Sequence, residues 1–129
     1  MAIPVVRFGF RRQKEVELKQ RLQKITWAID QYNDLRMKGV IKAPLSIIQG
    51  PYPKTLDELA KPIELLDGKK LRLLSERDLI DPMTGRSEWR TVSSTDDPES
   101  NSSNEDDVWD LHSKSTAPAL DGKTHYNEW

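Results

Sequence analysis

One uninterrupted helical run, from about Val5 to Lys38, constrains this chain more than any other part of it. Leu18, Leu22, Ile25, Ile29 and Tyr32 recur at steps of four, three, four and three, which keeps them on one side of a 3.6-residue helix. Glu17, Lys19, Gln20, Arg21, Gln23, Lys24 and Asp30 lie between them, so most of the opposite side is wet. No Gly or Pro breaks the run between Arg11 and Lys38, and Gly39 is placed to cap it. At 1.5 Å per residue the helix is about 50 Å long, more than one small core needs. A helix that overshoots its own domain is expected to attach to something else.

The rest of the chain offers room for only a modest core. With 36% hydrophobic and 32% charged residues among 129 and a mean hydropathy of -0.73, a single domain over 1–129 is expected. Its formal net charge of -1 conceals two poles. Residues 1–42 hold ten Lys/Arg against four Asp/Glu, a net of +6, and residues 43–92 balance at eight and eight. Residues 93–129 hold two Lys against nine acids, a net of -7. The absence of cysteine excludes disulfides and Cys-based zinc sites. No run reaches the roughly 18–20 apolar residues of a membrane span. The opening Met1-Ala2-Ile3-Pro4-Val5-Val6 is nonetheless apolar, and Arg7, Phe8, Phe10, Arg11, Arg12 and Lys14 follow at once. Aromatic and basic residues mixed just past an apolar segment have the composition of a membrane-interface collar.

Beyond the helix (1–38), the segment 39–92 is expected to hold a short helix, turns and a first strand. Thr55 and Glu58 have capping-box spacing ahead of a helix from Leu56 to about Lys61, which Pro62 ends. Leu56 and Leu59 are expected to pack it onto the long helix. Residues 63–74 carry a turn signal at Asp67-Gly68 and are read as a turn with a short helical piece. Asp81-Pro82 starts a tight turn after an extended approach. Trp89-Arg90-Thr91-Val92 alternates like a strand. Residues 93–107, almost wholly Ser, Asp, Glu and Asn, are expected to form a mobile acidic loop that buries nothing. In the final segment, 108–129, Val108 to Ser113 alternates again and should pair antiparallel with the Trp89 strand. Tyr126 and Trp129 should then tuck back onto the sheet, with Trp129 as the last anchor. The fold class is α+β, a long helix on a small antiparallel sheet. Its helix-to-sheet core is assigned to Leu18, Leu22, Ile25, Ile29, Tyr32, Leu56, Leu59, Trp89, Trp109, Leu111 and Trp129.

Catalytic chemistry finds no footing here. His112 and His125 are the only histidines and stand thirteen residues apart, without the convergence a zinc site needs. Asp110, His112 and Ser113 are a nominal hydrolase set, but His112 and Ser113 are strand neighbours and point to opposite faces. Glycine-rich phosphate loops are lacking. Glu105-Asp106-Asp107 with Asp110 lacks EF-hand spacing, which favours a solvated loop over a calcium site. Glu15 and Glu17 interrupt the basic patch, and the pI of about 6.1 argues against nucleic acid as a partner. An enzyme is therefore not expected.

Several patterns, in this order along the chain, resemble the major pseudopilin of type II secretion systems and its type IV pilin-like relatives. Ala2-Ile3-Pro4-Val5, then Arg11-Arg12-Gln13-Lys14-Glu15 and Leu18, is similar to the exit of the pilin membrane helix. Ala28-Ile29-Asp30-Gln31-Tyr32 is similar to that helix's middle. Tyr52-Pro53-Lys54-Thr55-Leu56-Asp57-Glu58-Leu59 looks like the family's YP-x-S/T-L-x-x-L segment, and Asp81-Pro82-Met83-Thr84-Gly85 with Trp89 like its DP-x-T/N-G turn. Val108 to Ser113, ending in Trp129, looks like its last strand and C-terminal anchor.

The resemblance implies a pilin-like, lollipop-shaped subunit, anchored in a bacterial inner membrane with its head in the periplasm. It implies self-association into a filament, contact with other pseudopilins and an inner-membrane assembly platform, and a role in protein secretion across the outer membrane. Ile3, Pro4, Val5, Val6, Phe8, Phe10, Arg11, Arg12 and Lys14 are the expected self-assembly residues. The chain is expected to begin near the end of the membrane helix, without the apolar half, the cleavage signal and the N-terminal acid on which polymerisation depends. Opposed poles of +6 and -7 are expected to help set subunit register, a hypothesis that fails if reversing Arg11, Arg12 and Lys14 leaves assembly unchanged. The family often binds calcium in its C-terminal loop, but here Ala117 stands where one acid ligand aligns and only Asp121 offers a carboxylate. No cofactor is expected, and Pro118 with Trp129 is expected to hold that loop. A minor pilin and a calcium-dependent protein-binding module are the alternative functions.

Overall fold

The structure, a computed structural model, describes residues 5–41, 51–96 and 107–129, with residues 5–8 described by backbone alone. Helix α1 spans Val5–Met37. It ends as the sequence implies, with Gly39 at φ 71°. The Val40 N–H returns to the Leu35 carbonyl at 3.2 Å and the Gly39 N–H to the Arg36 carbonyl at 3.1 Å. These are the two bonds of a Schellman motif, which satisfy carbonyls the helix end leaves open.

The expected apolar stripe is the core-facing side of α1. Leu18 and Ile25 are fully buried, with Ile29 and Tyr32 close to it and Leu22 half-buried. Ala28 adds a small residue that lets neighbouring elements approach closely. Short elements cover this face. Helix α2, Asp57–Ala60, buries Leu59 and Ala60. A 3-10 turn at Glu76–Leu79 buries Leu79. Strands β3, Trp89–Val92, and β4, Asp110–Ser113, pair antiparallel with Trp89 opposite Ser113 and Val92 opposite Asp110. A final 3-10 turn, Tyr126–Glu128, lies against β4. Of these, α2, the Glu76–Leu79 turn and β4 are packed directly on α1. The fold class is α+β, with one long N-terminal helix and small antiparallel pairs.

Three local expectations need correction. First, 63–74 contains no helical piece. Strands β1, Ile63–Glu64, and β2, Lys70–Leu71, form a hairpin around Asp67-Gly68. Gly68 takes φ 86° there, and Asp67 Oδ1 accepts the Lys69 N–H at 2.9 Å. The apolar runs beside that turn are too short to nucleate helix, and pairing through the turn satisfies their backbone instead. Helical structure appears only later, as a 3-10 turn at Glu76–Leu79, after which Ile80 is extended ahead of the Asp81-Pro82 turn. Second, Thr55 does not cap α2. Leu56 holds the N-cap position at helical angles, and Glu58 Oε2 takes the Lys54 N–H at 3.3 Å.

Third, Trp109 lies outside the core, 50% exposed, while Val108 is buried. Alternation back from Leu111 and Ser113 would place Trp109 inward. A bend at Trp109 precedes β4, and its N–H bonds to the Val92 carbonyl at 2.8 Å. That bend exchanges the two faces, and Val108 takes the inner place.

The acidic segment also departs from expectation where it is described. Residues 97–106 lie outside the described residues, but Ser93 and Asp107 at its ends are buried. Asp107 Oδ1 accepts the Ser93 hydroxyl at 2.7 Å and the Ser94 N–H at 2.8 Å. A buried carboxylate with this many donors is tolerated, so the mouth of the segment is closed by its own polar residues.

Candidate functional site

Long-range hydrogen bonds gather where the start of α1 meets the C-terminal segment. Arg11 and Glu15 are one turn apart and so share a face of the helix. Glu15 Oε1 accepts the Tyr126 O–H at 2.7 Å and the Leu120 N–H at 2.7 Å. Arg11 Nε donates to the Tyr126 oxygen at 3.2 Å, and its terminal nitrogen donates to the Pro118 carbonyl. The Arg11 guanidinium also lies 5.8 Å from the centre of the Tyr126 ring. Burial, and then the Glu15 hydrogen bond, raise the Tyr126 phenol above its ordinary value of 10.0. Two helix side chains of opposite charge thus strap residues 118–126 to α1.

Tyr126, at 1% exposure, is the deeper anchor, and Trp129 is only half-buried. The two rings meet edge to face at 5.2 Å, a favoured aromatic geometry. Lys19 from α1 lies 4.9 Å from the centre of the Trp129 ring. Trp129 Nε1 donates to Thr124 Oγ1 at 2.9 Å. His112 on β4 meets the Trp129 carbonyl through Nδ1 at 2.6 Å, and Arg90 on β3 donates to the Asn127 carbonyl at 2.9 Å. The C-terminal segment therefore bridges helix and sheet, so it does more than tuck onto the sheet.

The 118–125 loop holds itself. Pro118 bridges to His125, and the Ala119 N–H reaches the Thr124 carbonyl at 2.8 Å. Asp121 Oδ1 accepts the N–H groups of Lys123 and Thr124 at 2.8 and 2.9 Å, and Oδ2 accepts the Thr124 hydroxyl at 2.7 Å. The Thr124 hydroxyl, then the Thr124 and Lys123 amides, hold the Asp121 carboxyl down at about 2. Calcium requires six to eight oxygen ligands. Asp121 is the one carboxylate of this loop, and both of its oxygens already accept hydrogen bonds from the chain. Among the described residues no group of three or more His, Asp or Glu converges.

A second polar centre lies in the sheet. Asp81, fully buried, accepts the Ser113 hydroxyl through Oδ2 at 2.6 Å and the Met83 N–H through Oδ1 at 2.8 Å. Its backbone takes up the turn as well, with the Gly85 N–H on the Asp81 carbonyl at 2.8 Å. The turn beginning at Asp81-Pro82 is thereby fastened to β4. Ser113 points inward to Asp81, while His112 points away, with Nε2 3.8 Å from Asp110 Oδ2. The nominal Ser/His/Asp set diverges, as strand geometry requires. A half-open cleft of about 500 Å³ beside β3, lined in part by Lys54, Asp57, Glu88, Trp89 and Lys114, includes neither histidine.

Of the expected assembly residues, Ile3 and Pro4 lie outside the described residues, and Val5, Val6 and Phe8 are placed by helix backbone alone. Phe10 is 61% exposed, Arg12 is exposed and Lys14 is half-buried. Lys14 Nζ lies 5.2 Å from the centre of the Phe10 ring. Arg11 turns the other way, into the strap. Among the expected core residues, Leu59, Trp89 and Leu111 are buried, Leu56 and Trp129 are half-buried, and Trp109 is outside. Sequence reasoning missed Glu15, Asp81 and Ser113, whose partners are 32 to 111 residues away. The Asp-Pro turn was the only local signal for any of them.

The fold and this site define an α+β domain whose long helix is tied near its start to the C-terminal segment. No family model, curated protein or solved structure matches the chain.

Proposed function

We propose that this chain is the head and helix exit of a pseudopilin-type filament subunit that serves type II protein secretion and assembles through α1. The observation that carries the reading is the division of α1. Among the described residues Leu18 is the first buried apolar side chain of this 33-residue helix, and Phe10, nearer its start, is 61% exposed. With the apolar sequence Ile3-Pro4-Val5-Val6 and Phe8 just ahead of it, that ring belongs to an apolar run of the kind that favours a partner outside the domain. Order along the chain supports it too: the Tyr52-Pro53 segment, the Asp81-Pro82 turn and the last strand all contribute to one core.

On this reading the protein is structural, with its function in its surfaces. Its partners are copies of itself, other pseudopilins and an inner-membrane platform, and its head lies in the periplasm. A calcium-dependent binding module is disfavoured by the donor set of the 118–125 loop. The test is made in cells that encode the protein. Deleting its gene should trap type II cargo in the periplasm, and a single cysteine at Phe10 or Arg12, in a chain that has none, should yield disulfide-linked dimers on oxidation. Unchanged secretion together with monomers alone overturns the proposal.

A further inference from the structure

We infer that Asp67, in the turn of the β1–β2 hairpin, is a modification site that isomerises spontaneously to isoaspartate through a succinimide with Gly68. The tetrapeptide Leu-Asp-Gly-Lys occurs twice, at 66–69 and at 120–123, so intrinsic reactivity is matched at the two places. Glycine after the aspartate leaves the attacking amide nitrogen without a shielding Cβ. Both turns share one frame. Gly68 and Gly122 take φ 86° and 69°, and their N–H groups bond to the Leu65 and Ala119 carbonyls at 3.0 and 3.2 Å. Asp67 Oδ1 accepts the Lys69 N–H at 2.9 Å, as Asp121 Oδ1 accepts the Lys123 N–H at 2.8 Å.

The turns differ in the residue that follows. Thr124 holds Asp121 twice more, with its N–H on Oδ1 at 2.9 Å and its hydroxyl on Oδ2 at 2.7 Å. Lys70 stands in that place after the hairpin turn, and Oδ2 of the exposed Asp67 has no partner among the described residues. Isomerisation needs a carboxyl free to turn and proceeds from its neutral form. The Gly68 nitrogen attacks Asp67 Cγ, the N–Cγ bond forms and the Cγ–OH bond breaks. The hydroxyl leaves with the amide proton as water. Water then opens the ring at the Asp67 main-chain carbonyl, which gives isoaspartate, or at Cγ, which restores aspartate. One water is lost and one regained, so no other reactant takes part. At Asp121 both oxygens are held and the carboxyl is kept down at about 2, which starves the same reaction. The methylene added to the main chain at 67 works against the pairing of Ile63 with Leu71 and the Leu66 N–H bond to the Val40 carbonyl at 2.9 Å. The inference goes beyond the filament reading and does not depend on it.

The test is incubation of the full chain at neutral pH for several weeks, then proteolysis, mass-spectrometric mapping and enzymatic methylation of isoaspartyl carboxyls. The folded chain should carry about tenfold more isoaspartate at 67 than at 121, as the added charge-assisted bonds to Asp121 imply. In urea the two positions should accumulate it at similar rates, because their tetrapeptides are the same. Thr124→Val, with circular dichroism to establish that it is folded, should raise position 121 severalfold, and Thr124→Ser, which keeps the hydroxyl, should not. Equal accumulation at 67 and 121 in the folded chain overturns the inference. So does a folded chain with none at 67 whose unfolded form carries it at both positions. A folded Thr124→Val with position 121 unchanged overturns the protective role of Thr124, and the comparison of folded with unfolded wild type decides the rest without any variant.

Discussion

Tyr126 donates its phenolic proton to Glu15 at 2.7 Å across 111 residues of chain, and the bond joins the start of the long helix to the end of the sequence. Tyr126→Phe keeps the ring and deletes the donor. The expected cost is about 1–2 kcal/mol, a fall in melting temperature of roughly 3–8 °C in a domain of this size. Glu15→Ala should cost more, because it also strips the Leu120 N–H of its acceptor. Equal melting temperatures for wild type and both variants would show that the strap contributes nothing.

The Asp81–Ser113 pair should behave as a coupled unit. Asp81→Ala leaves the Ser113 hydroxyl and the Met83 N–H without their acceptor, at about 3 kcal/mol. Ser113→Ala should cost less, about 1–2 kcal/mol. A double-mutant cycle by urea unfolding should return a coupling of about 1–2 kcal/mol. Simple additivity would mean the hydrogen bond does not fasten the turn to β4.

Two tryptophans near the sheet should respond oppositely. Trp89 is buried and donates Nε1–H to the Leu79 carbonyl at 2.7 Å, so Trp89→Ala should cost about 3–5 kcal/mol. Trp109 is 50% exposed, and Trp109→Ala should stay within about 1 kcal/mol. Comparable losses at both positions would contradict the bend that turns Trp109 outward.

Asp121 and Tyr126 set opposite limits on pH. The Asp121 carboxyl is held down at about 2 by Thr124 and Lys123, below the ordinary carboxylate value. Its contribution is therefore present above pH of about 4 and is lost as pH falls toward 2. Tyr126 is raised above 10.0, so its contribution is present below that pH and is lost as pH rises through the folded value. Melting temperature followed against pH should flatten at the acid end in Asp121→Asn and at the alkaline end in Tyr126→Phe. Calcium and chelator should leave the wild-type melting temperature unchanged, and a fall with chelator would overturn the expectation that the loop takes no metal.

The sequence by itself determined the elements that depend on local repetition. Leu18, Ile25, Ile29 and Tyr32 recur at helical spacing and form one buried side. Gly39 ends the helix where a residue without Cβ suits the left-handed cap. Trp89–Val92 and Asp110–Ser113 alternate and pair. Such patterns are legible because backbone dihedrals repeat residue by residue and carry the side-chain period with them. Only the tertiary structure decided that Trp109 yields its inner place to Val108, since one bend reverses every face beyond it. It alone turned Arg11 and Glu15 inward and left Phe10 and Arg12 outside. Those choices depend on which donors and acceptors from distant segments come within about 3 Å, a distance that no spacing along the chain records.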